Sequence, residues 1–551
     1  MNRYKLTFLF FVLLFAQAYA QKAIQPTKPK LVVGIVVDQM RWDYLYRFKD
    51  RYSTDGFKRL QNEGFSVENT YINHTPSKTA VGHATIFTGS VPAIHGITGN
   101  SWVERFTGKK VYCVGDTTVN SVGIENTKST DDDGDGGQMS PRNLLVNTVT
   151  DELKLATNFR SKVVGVSLKD RAAILPSGHS ANAAFWYDDK SEKFITSTYY
   201  MNALPAWANQ FNDKKEPAKL MSQNWNTLYP IVTYKQSSAD DVKWEGLYKG
   251  QKKATFPYPL ATIFKADKSA IRSTPFGNEL TLNFAKAALE GYEMGIGAET
   301  DFLTINLAST DYAGHKFGSN SIEIEDIYLR LDKALADFFK YLDGRYGKGS
   351  YTLFLTADHG GAHSLDFLQE NKLPNGQFIA SPLRKSLNEY LEQKFKVKGL
   401  VRTTANYGVY LNENKMENLD KAQVKAAAIN YLEQQSNILF AIDVDNVGAS
   451  SVPEPLKTMI TNGNNRKRTG QIFLVPNAGY FEAGKRVGTT HGTWNPYDTH
   501  IPLLFMGWGI KQGATNQLYH QNDIAVTVAN LLKIQAPNGN VGKPITDLLT
   551  K

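Results

Sequence analysis

Several carboxylates, imidazoles and cations in this chain stand directly beyond short apolar runs, where a polar side chain has no packing role and a ligand could meet it. Asp38 closes Leu31-Val-Val-Gly-Ile-Val-Val37, Lys169-Asp170-Arg171 follows Val163 to Leu168, Asp311 follows Phe302 to Thr310, and Asp358-His359-Gly360 follows Tyr351 to Ala357. Asp311 and His315 are four residues apart, so one turn of chain can present both to a single ion. Asp358 and His359 are adjacent and can share an ion only across a sharp turn, which Gly360 and Gly361 permit. His491 lies in the glycine-flanked segment Gly488-Thr-Thr-His491-Gly492-Thr493. Mixed Asp/His ligation favours zinc, because magnesium and calcium prefer oxygen alone. Singly, each residue has a plain reading as a turn, a helix cap or a hydrogen-bonded structural histidine. Their joint placement separates them from the other seven histidines, among them His83, His179 and His363.

In open α/β sheets, ligands bind beyond the carboxyl ends of the strands. Leu31 to Val37, Val163 to Leu168, Phe302 to Ala308 and Tyr351 to Thr356 have the length and unbroken apolar character of buried parallel strands, and Ile501 to Met506 reads as a fifth. Ile324, Ile327, Tyr328, Leu331, Leu335, Phe338, Phe339 and Leu342 fall on one helical face. Strands alternating with helices predict a doubly wound, mostly parallel α/β sheet. Residues from about 176 to 275 and from about 376 to 478 break the alternation and read as insertions into one catalytic domain spanning 21–551. Ala80 to Phe87 reads as a helix whose N-terminus puts Thr79 in a positive potential, suited to an alkoxide and to phosphate. Taken alone, a Thr there is an ordinary N-cap.

The chain opens with Arg3 and Lys5, an apolar stretch from Leu6 to Phe15, and Ala18-Tyr19-Ala20, the form of a signal peptide over residues 1–20. That stretch is shorter than the ~20 residues of a membrane span, which predicts an exported protein, periplasmic or secreted. Cys113 is the only cysteine, so no intramolecular disulfide can form and the core must hold the fold. The 62 basic and 53 acidic residues give +9, or +7 once Arg3 and Lys5 are removed. This mild excess suits anionic substrates, but the charges are scattered and argue against a dedicated nucleic-acid partner. The oligomeric state is left open, a monomer included. Asp131-Asp-Asp-Gly-Asp135-Gly136 matches the opening of a calcium loop, yet the position that needs a bidentate Glu is Arg142, so it reads as a solvated acidic loop.

Asp38, Thr79 within Asn73-His-Thr-Pro-Ser-Lys-Thr79-Ala-Val-Gly-His, Gly99-Asn100, Asp311 to His315, Asp358-His359-Gly360 and His491 resemble, in order and spacing, the alkaline phosphatase superfamily. The resemblance implies two zinc ions, one on Asp311, His315 and His491 and the other on Asp38, Asp358 and His359, with the Thr79 oxygen completing the second site. Two such ions about 4 Å apart clamp attacking and leaving oxygens in an in-line displacement. The C/S-x-P-x-R setting of sulfatases is missing at Thr79, whereas nucleotide pyrophosphatase/phosphodiesterases share the Thr and the Asn. Thr79 and Asn100 together with Lys169 and Arg171 resemble the PafA-type, phosphate-irrepressible alkaline phosphatases. Lys169 would then fill the space of the third, magnesium, site of the Ser-nucleophile enzymes. The implied function is hydrolysis of small-molecule phosphate monoesters with broad specificity through a phosphothreonine at Thr79, with Asn100, Lys169 and Arg171 on the phosphoryl group. The alternatives are a phosphodiesterase of the same superfamily and a secreted metal-binding protein without turnover, against which the intact nucleophile argues.

Overall fold

Strand β1 (Leu31–Val37) is buried along its whole length. Alternate residues of a strand face opposite ways, so Leu31, Val33, Ile35 and Val37 enter one large hydrophobic cluster and Val32 and Val36 enter another on the opposite face. An unbroken β-branched run is satisfied only by such two-sided cover. The computed structural model describes residues 27–125, 136–482, 484 and 486–550; the expected signal peptide and the Asp131–Asp135 loop lie outside them.

The other main strands of the sheet are β2 (Phe65–Tyr71), β3 (Val163–Ser167), β4 (Ala183–Asp188), β5 (Lys193–Ser197), β6 (Asp301–Leu307), β7 (Thr352–Thr356), β8 (Leu503–Gly507) and β9 (Gly513–His520). Five neighbours in the order β7-β1-β6-β3-β4 are mutually parallel. Antiparallel β5 extends one end, and antiparallel β8 and then β2 extend the other, with β9 parallel to β2. The run expected as a single strand from Ile501 to Met506 is divided. His500–Ile501 pairs with β2, Pro502 offers no N–H to a ladder, and β8 then runs antiparallel to β7. The doubly wound α/β architecture is otherwise as the alternation of strands and helices predicts.

Two strands fall inside the 176–275 segment yet belong to this sheet: β4 lies beside β3 and β5 beside β4. What stands outside the sheet therefore begins after Ser197. Its aromatic residues pack back on the core, as where the buried Trp225 indole donates to Asp326 at 2.7 Å. Around the second segment, Gly376–Phe378 pairs in parallel with Tyr480–Glu482, so the two ends meet. Between them Val401–Ala405, Gly408–Leu411, Ile472–Pro476 and Ile438–Asp443 form a separate four-stranded sheet with its own apolar core around Leu387, Val409, Val424 and Leu474.

Four helices flank the reactive edge: α1 (Thr79–Thr88), α2 (Asp170–Ser177), α3 (Ser309–Phe317) and α4 (Ile322–Tyr346). Helix α4 carries the predicted apolar face, every member of which is buried in the large cluster, and the Ser321 hydroxyl caps its start by accepting from the Ile324 N–H. Helix α1 is buried on all sides, which explains the missing amphipathic pattern in its sequence. It packs on α2 and ends at Gly89 in the left-handed region, φ 64°.

A Cβ at Gly82 would collide with the backbone carbonyl of Asp358, so this glycine sets how closely α1 approaches the strand β7 edge. Gly82→Ala raises helix propensity by up to about 1 kcal/mol, yet overpacking of this kind costs roughly 1–3 kcal/mol. The substitution is expected to lower the melting temperature measured by circular dichroism; an unchanged or higher Tm would show that α1 can move away freely.

Candidate active site

Asp358, Asp38, Asp311 and Lys169 lie just beyond the ends of β7, β1, β6 and β3, four strands adjacent in the sheet. All four side chains are nearly inaccessible. The Lys169 ammonium donates to Asp38 Oδ2 at 2.9 Å and to Asp311 Oδ2 at 2.6 Å. Burial alone would depress this ammonium, but Asp311 and Asp38 together hold it above its ordinary range. Asp358 has no such partner. Burial, and then the neighbouring Asp38, push its carboxyl well above the usual carboxylate range.

Three imidazoles face this acidic edge, and each is oriented in the same way. Nδ1 of His315 lies 2.8 Å from the Thr489 carbonyl oxygen, Nδ1 of His359 is 2.9 Å from that of Gly360, and Nδ1 of His491 is 2.7 Å from that of Ser77. A carbonyl only accepts, so Nδ1 carries a proton and Nε2 is the atom turned to the site; against burial, the Asp311 carboxylate raises the basicity of His315. The His315 Nε2 is 3.2 Å from Asp311 Oδ1, one helical turn away on α3, while the His359 Nε2 is 3.3 Å from Asp358 Oδ2. Burial lowers the basicity of His359, to about 4, and holds His491 well below its usual value, where the parallel His359 ring at 3.4 Å adds to the effect. Neutral, lone-pair-bearing imidazoles are the form that binds a metal.

Among the described residues, two groups of donors lie within 4.8 Å of one another and could hold an ion: Asp311, His315 and His491, and Asp38, Asp311 and His359. The first is the expected set. The second shares Asp38 and His359 with the expected set but counts Asp311, already tied to Lys169, in place of Asp358. Asp38 Oδ1 and Asp358 Oδ2 are both buried without a hydrogen-bond partner. Two buried carboxyl oxygens in that condition, beside three imidazoles, fit cations with mixed nitrogen and oxygen preference. The close pairing of Asp358 and His359 needs no positive φ at Gly360 or Gly361. Gly360 is required instead by the chain passing beside it, because a Cβ would collide with the Tyr497 carbonyl oxygen.

Thr79 is the first residue of α1 rather than its cap; Lys78 occupies the cap position without a capping side chain. The Thr79 hydroxyl lies 3.3 Å from His359 Nε2. The Asn100 carbonyl oxygen accepts the Ala80 N–H at 3.0 Å, which fixes the amide so that its NH2 end is the part left to donate. On α2, the Arg171 guanidinium is buried, its Nη1 is 3.2 Å from the Tyr112 hydroxyl, and its Nε has no partner. Tyr112 in turn donates to Asp170 Oδ1 at 2.7 Å.

Five contributors escaped the sequence reading. Gln39, at φ 61°, donates its side-chain amide to Asp311 at 2.6 Å and its backbone N–H to Asp358 at 3.2 Å. Asn306 donates to Asp38 Oδ2 at 3.2 Å and accepts from Ser167 at 2.8 Å; a lone amide inside an apolar strand was its available signal. Tyr112 positions Arg171, the half-buried Lys78 donates to the His491 carbonyl at 3.1 Å, and Asp498 gathers the Gly492 and Thr493 N–H groups. Of the histidines set aside, His83 hydrogen-bonds the Thr79 carbonyl oxygen at 2.9 Å and backs the site, whereas His179 pairs with Asp151 and His363 with Asn320 elsewhere.

The chain resembles known proteins along nearly its whole length. A family model described as type I phosphodiesterase / nucleotide pyrophosphatase matches residues 32–498. Alkaline phosphatase PafA of Elizabethkingia meningoseptica is 54% identical over 96% of this chain and 96% of its own. A Myroides odoratus protein named as a calcium-transporting ATPase is 52% identical over 95% of each, and alkaline phosphatase PhoV of Synechococcus elongatus is 51% identical over 97% and 96%. Among the described residues no helix is long and apolar enough to cross a membrane. The crystal structure of wild-type PafA superposes with a TM-score of 0.91, covering 95% of this chain and 99% of the other. Murine ectonucleotide pyrophosphatase/phosphodiesterase 5, 15% identical with a TM-score of 0.50 over 94% of this chain and 100% of the other, shares the fold. The chain therefore belongs to the type I phosphodiesterase / nucleotide pyrophosphatase family of the alkaline phosphatase superfamily, on its PafA-type alkaline phosphatase branch.

Proposed function

We propose that this alkaline phosphatase is exported and hydrolyses phosphate monoesters of broad structure through a covalent phosphothreonine at Thr79, with two zinc ions as cofactors. Asp311, His315 and His491 would hold one ion, and Asp38, Asp358 and His359 with the Thr79 oxygen the other. When bound, such ions supply Lewis acidity that lowers the proton affinity of attacking oxygens and offsets charge on the leaving oxygen. The observation that carries the reading is the buried Lys169 ammonium joining Asp38 to Asp311, beside a hydroxyl at the start of a buried helix.

Helix α1 aims its N-terminal dipole at the incoming phosphoryl group. The Thr79 oxygen attacks phosphorus, the bond to the ester oxygen breaks, and the alcohol departs with a proton. Water then attacks phosphorus, the bond to Thr79 breaks, and inorganic phosphate leaves. Asn100, its carbonyl fixed by Ala80, donates its amide hydrogens to a nonbridging oxygen. An ammonium has three N–H bonds, and Lys169 has two engaged with carboxylates, so the third is available to the phosphoryl group. Arg171, held by Tyr112 with a free Nε, adds a second cation. A monoester dianion gives these cations one more charged oxygen than a diester does, which favours monoesterase over diesterase chemistry.

Thr79→Ala keeps the other six proposed ligands. It is expected to bind two zinc equivalents by elemental analysis while losing turnover by ~10³ or more. Labelled phosphate trapped on the wild type should sit on Thr79, and label on any other residue contradicts the mechanism. Removing both phosphoryl cations tests substrate class. A charge-assisted contact in a partly desolvated site is worth ~2–4 kcal/mol in the transition state, roughly thirty- to a thousandfold in rate. The double variant Lys169→Ala/Arg171→Ala should therefore lose far more kcat/KM on an aryl phosphate than on its methyl aryl diester. Equal losses would return the phosphodiesterase reading to first place.

A further inference from the structure

Asn100 must hold its amide hydrogens on the phosphoryl group from a stretch of chain that is neither helix nor strand, and it is half-buried on the wall of a cleft of about 510 Å³. Packing therefore does little to fix it. Its side-chain carbonyl oxygen accepts the Ala80 N–H at 3.0 Å, and its backbone carbonyl oxygen accepts the Cys113 N–H at 2.9 Å. The residues on either side of it, Gly99 and Ser101, are met by a side chain from the second insertion.

That side chain is Asn406, in the two-residue turn between Val401–Ala405 and Gly408–Leu411 of the accessory sheet. Both turn residues have positive φ, 51° at Asn406 and 60° at Tyr407, a tight hairpin geometry that Asn tolerates well. Tyr407 pins the turn from behind. It is buried in the accessory core, its carbonyl oxygen accepts the Leu474 N–H at 2.8 Å, and its hydroxyl accepts the Glu482 N–H at 3.1 Å. With the backbone held in this way, Asn406 Nδ2 donates to the Ser101 carbonyl oxygen at 2.7 Å. A Cβ at Gly99 would collide with the same nitrogen. Gly99 has no positive φ, so the glycine is required by the approach of Asn406 and not by the turn of its own chain. One amide thus touches the residues before and after Asn100. From the same insertion, Arg468 donates to the Gly96 carbonyl oxygen at 2.7 Å and lies over the Trp102 ring at 4.7 Å, so the segment that carries Asn100 is gripped at both ends.

We propose that Asn406 is a positioning residue for Asn100, so that the accessory sheet helps to set the geometry of phosphoryl binding. An amide lodged against both neighbours of Asn100 restricts the backbone rotations that would swing its side chain off a nonbridging oxygen. Such tolerances are narrow, since a misplacement of about 1 Å can cost ~10²-fold in rate. The proposal rests on the phosphatase reading above and extends it to a residue 305 positions from Ser101 in the sequence.

The test measures kcat/KM on an aryl phosphate, zinc content and melting temperature for the zinc-loaded wild type, Asn406→Gly, Asn406→Asp, Asn100→Ala and the double variant Asn406→Gly/Asn100→Ala. Glycine accepts the positive φ without strain and removes the amide; aspartate keeps the size but sets an acceptor against the Ser101 carbonyl oxygen. Asn406→Gly should lose about five- to tenfold in kcat/KM, and Asn406→Asp at least as much, with zinc content and Tm close to those of the wild type. In the Asn100→Ala background the Asn406→Gly loss should shrink to less than about twofold, because the amide acts through Asn100. No loss in the single Asn406 variants, or an equal loss in both backgrounds, overturns the proposal. So does a loss that comes with a fall in zinc content or a collapse of Tm in Asn406→Gly, since the amide then serves the fold. If the wild type does not hydrolyse the aryl phosphate, the phosphatase reading itself fails.

Discussion

The buried ammonium of Lys169 is the interaction on which the reactive edge depends. Three carboxylates, Asp38, Asp311 and Asp358, meet there almost out of contact with water, and burying like charges together costs several kcal/mol per ion unless they are paired. Lys169 bonds to two of the three, and with all three ionised, as bound cations would require, the four side chains sum to two negative charges. Two divalent cations on the remaining donors would convert that deficit into a double positive charge, which a phosphate monoester dianion neutralises and a diester monoanion does not. The same ammonium can therefore reconcile the buried acids with the fold, fix the number of cations the site needs and bias the substrate.

The sheet makes this possible by adjacency. Parallel strands point their carboxyl ends the same way, and β7, β1, β6 and β3 are consecutive neighbours, so residues far apart in sequence converge without long loops. The imidazoles are delivered differently. Each is held by a backbone carbonyl through Nδ1; for His315 and His491 that carbonyl belongs to a distant segment, Thr489 and Ser77 respectively, and for His359 to the adjacent Gly360. Lys78 and Asp498 brace the His491 loop from two sides. The orientation of the His315 and His491 Nε2 atoms is thus tied to the packing of α1 and of the chain near residue 490.

Strand ends were legible in the sequence because burial on both faces forces a largely apolar run, and the first charged residue beyond it is conspicuous. Asp38, Asp311, Asp358 and Lys169 are all visible in that way. Gln39 was not, because its role depends on a positive φ and on two carboxylates from other strands. Asn306 could have been noticed as an amide within an apolar strand, but its partner Asp38 is a neighbour only once β1 and β6 pair. The strands β4 and β5 were hidden for a different reason. Their Tyr, Trp and Lys content suggested an irregular insertion, although Phe185, Trp186, Tyr187, Phe194 and Ile195 are buried in the sheet. The divided strand at Pro502 shows the converse: composition suggested one run where the missing N–H makes two.

The central proposal is that Lys169 takes a cation's place, so that the site would bind two ions and no third. Elemental analysis of purified wild-type protein, dialysed against metal-free buffer, measures this directly, with His491→Ala as the companion sample. The account predicts two zinc equivalents and no stoichiometric magnesium in the wild type, falling toward one zinc in His491→Ala. A third tightly held ion in the wild type, or two zinc ions retained without His491, would contradict it.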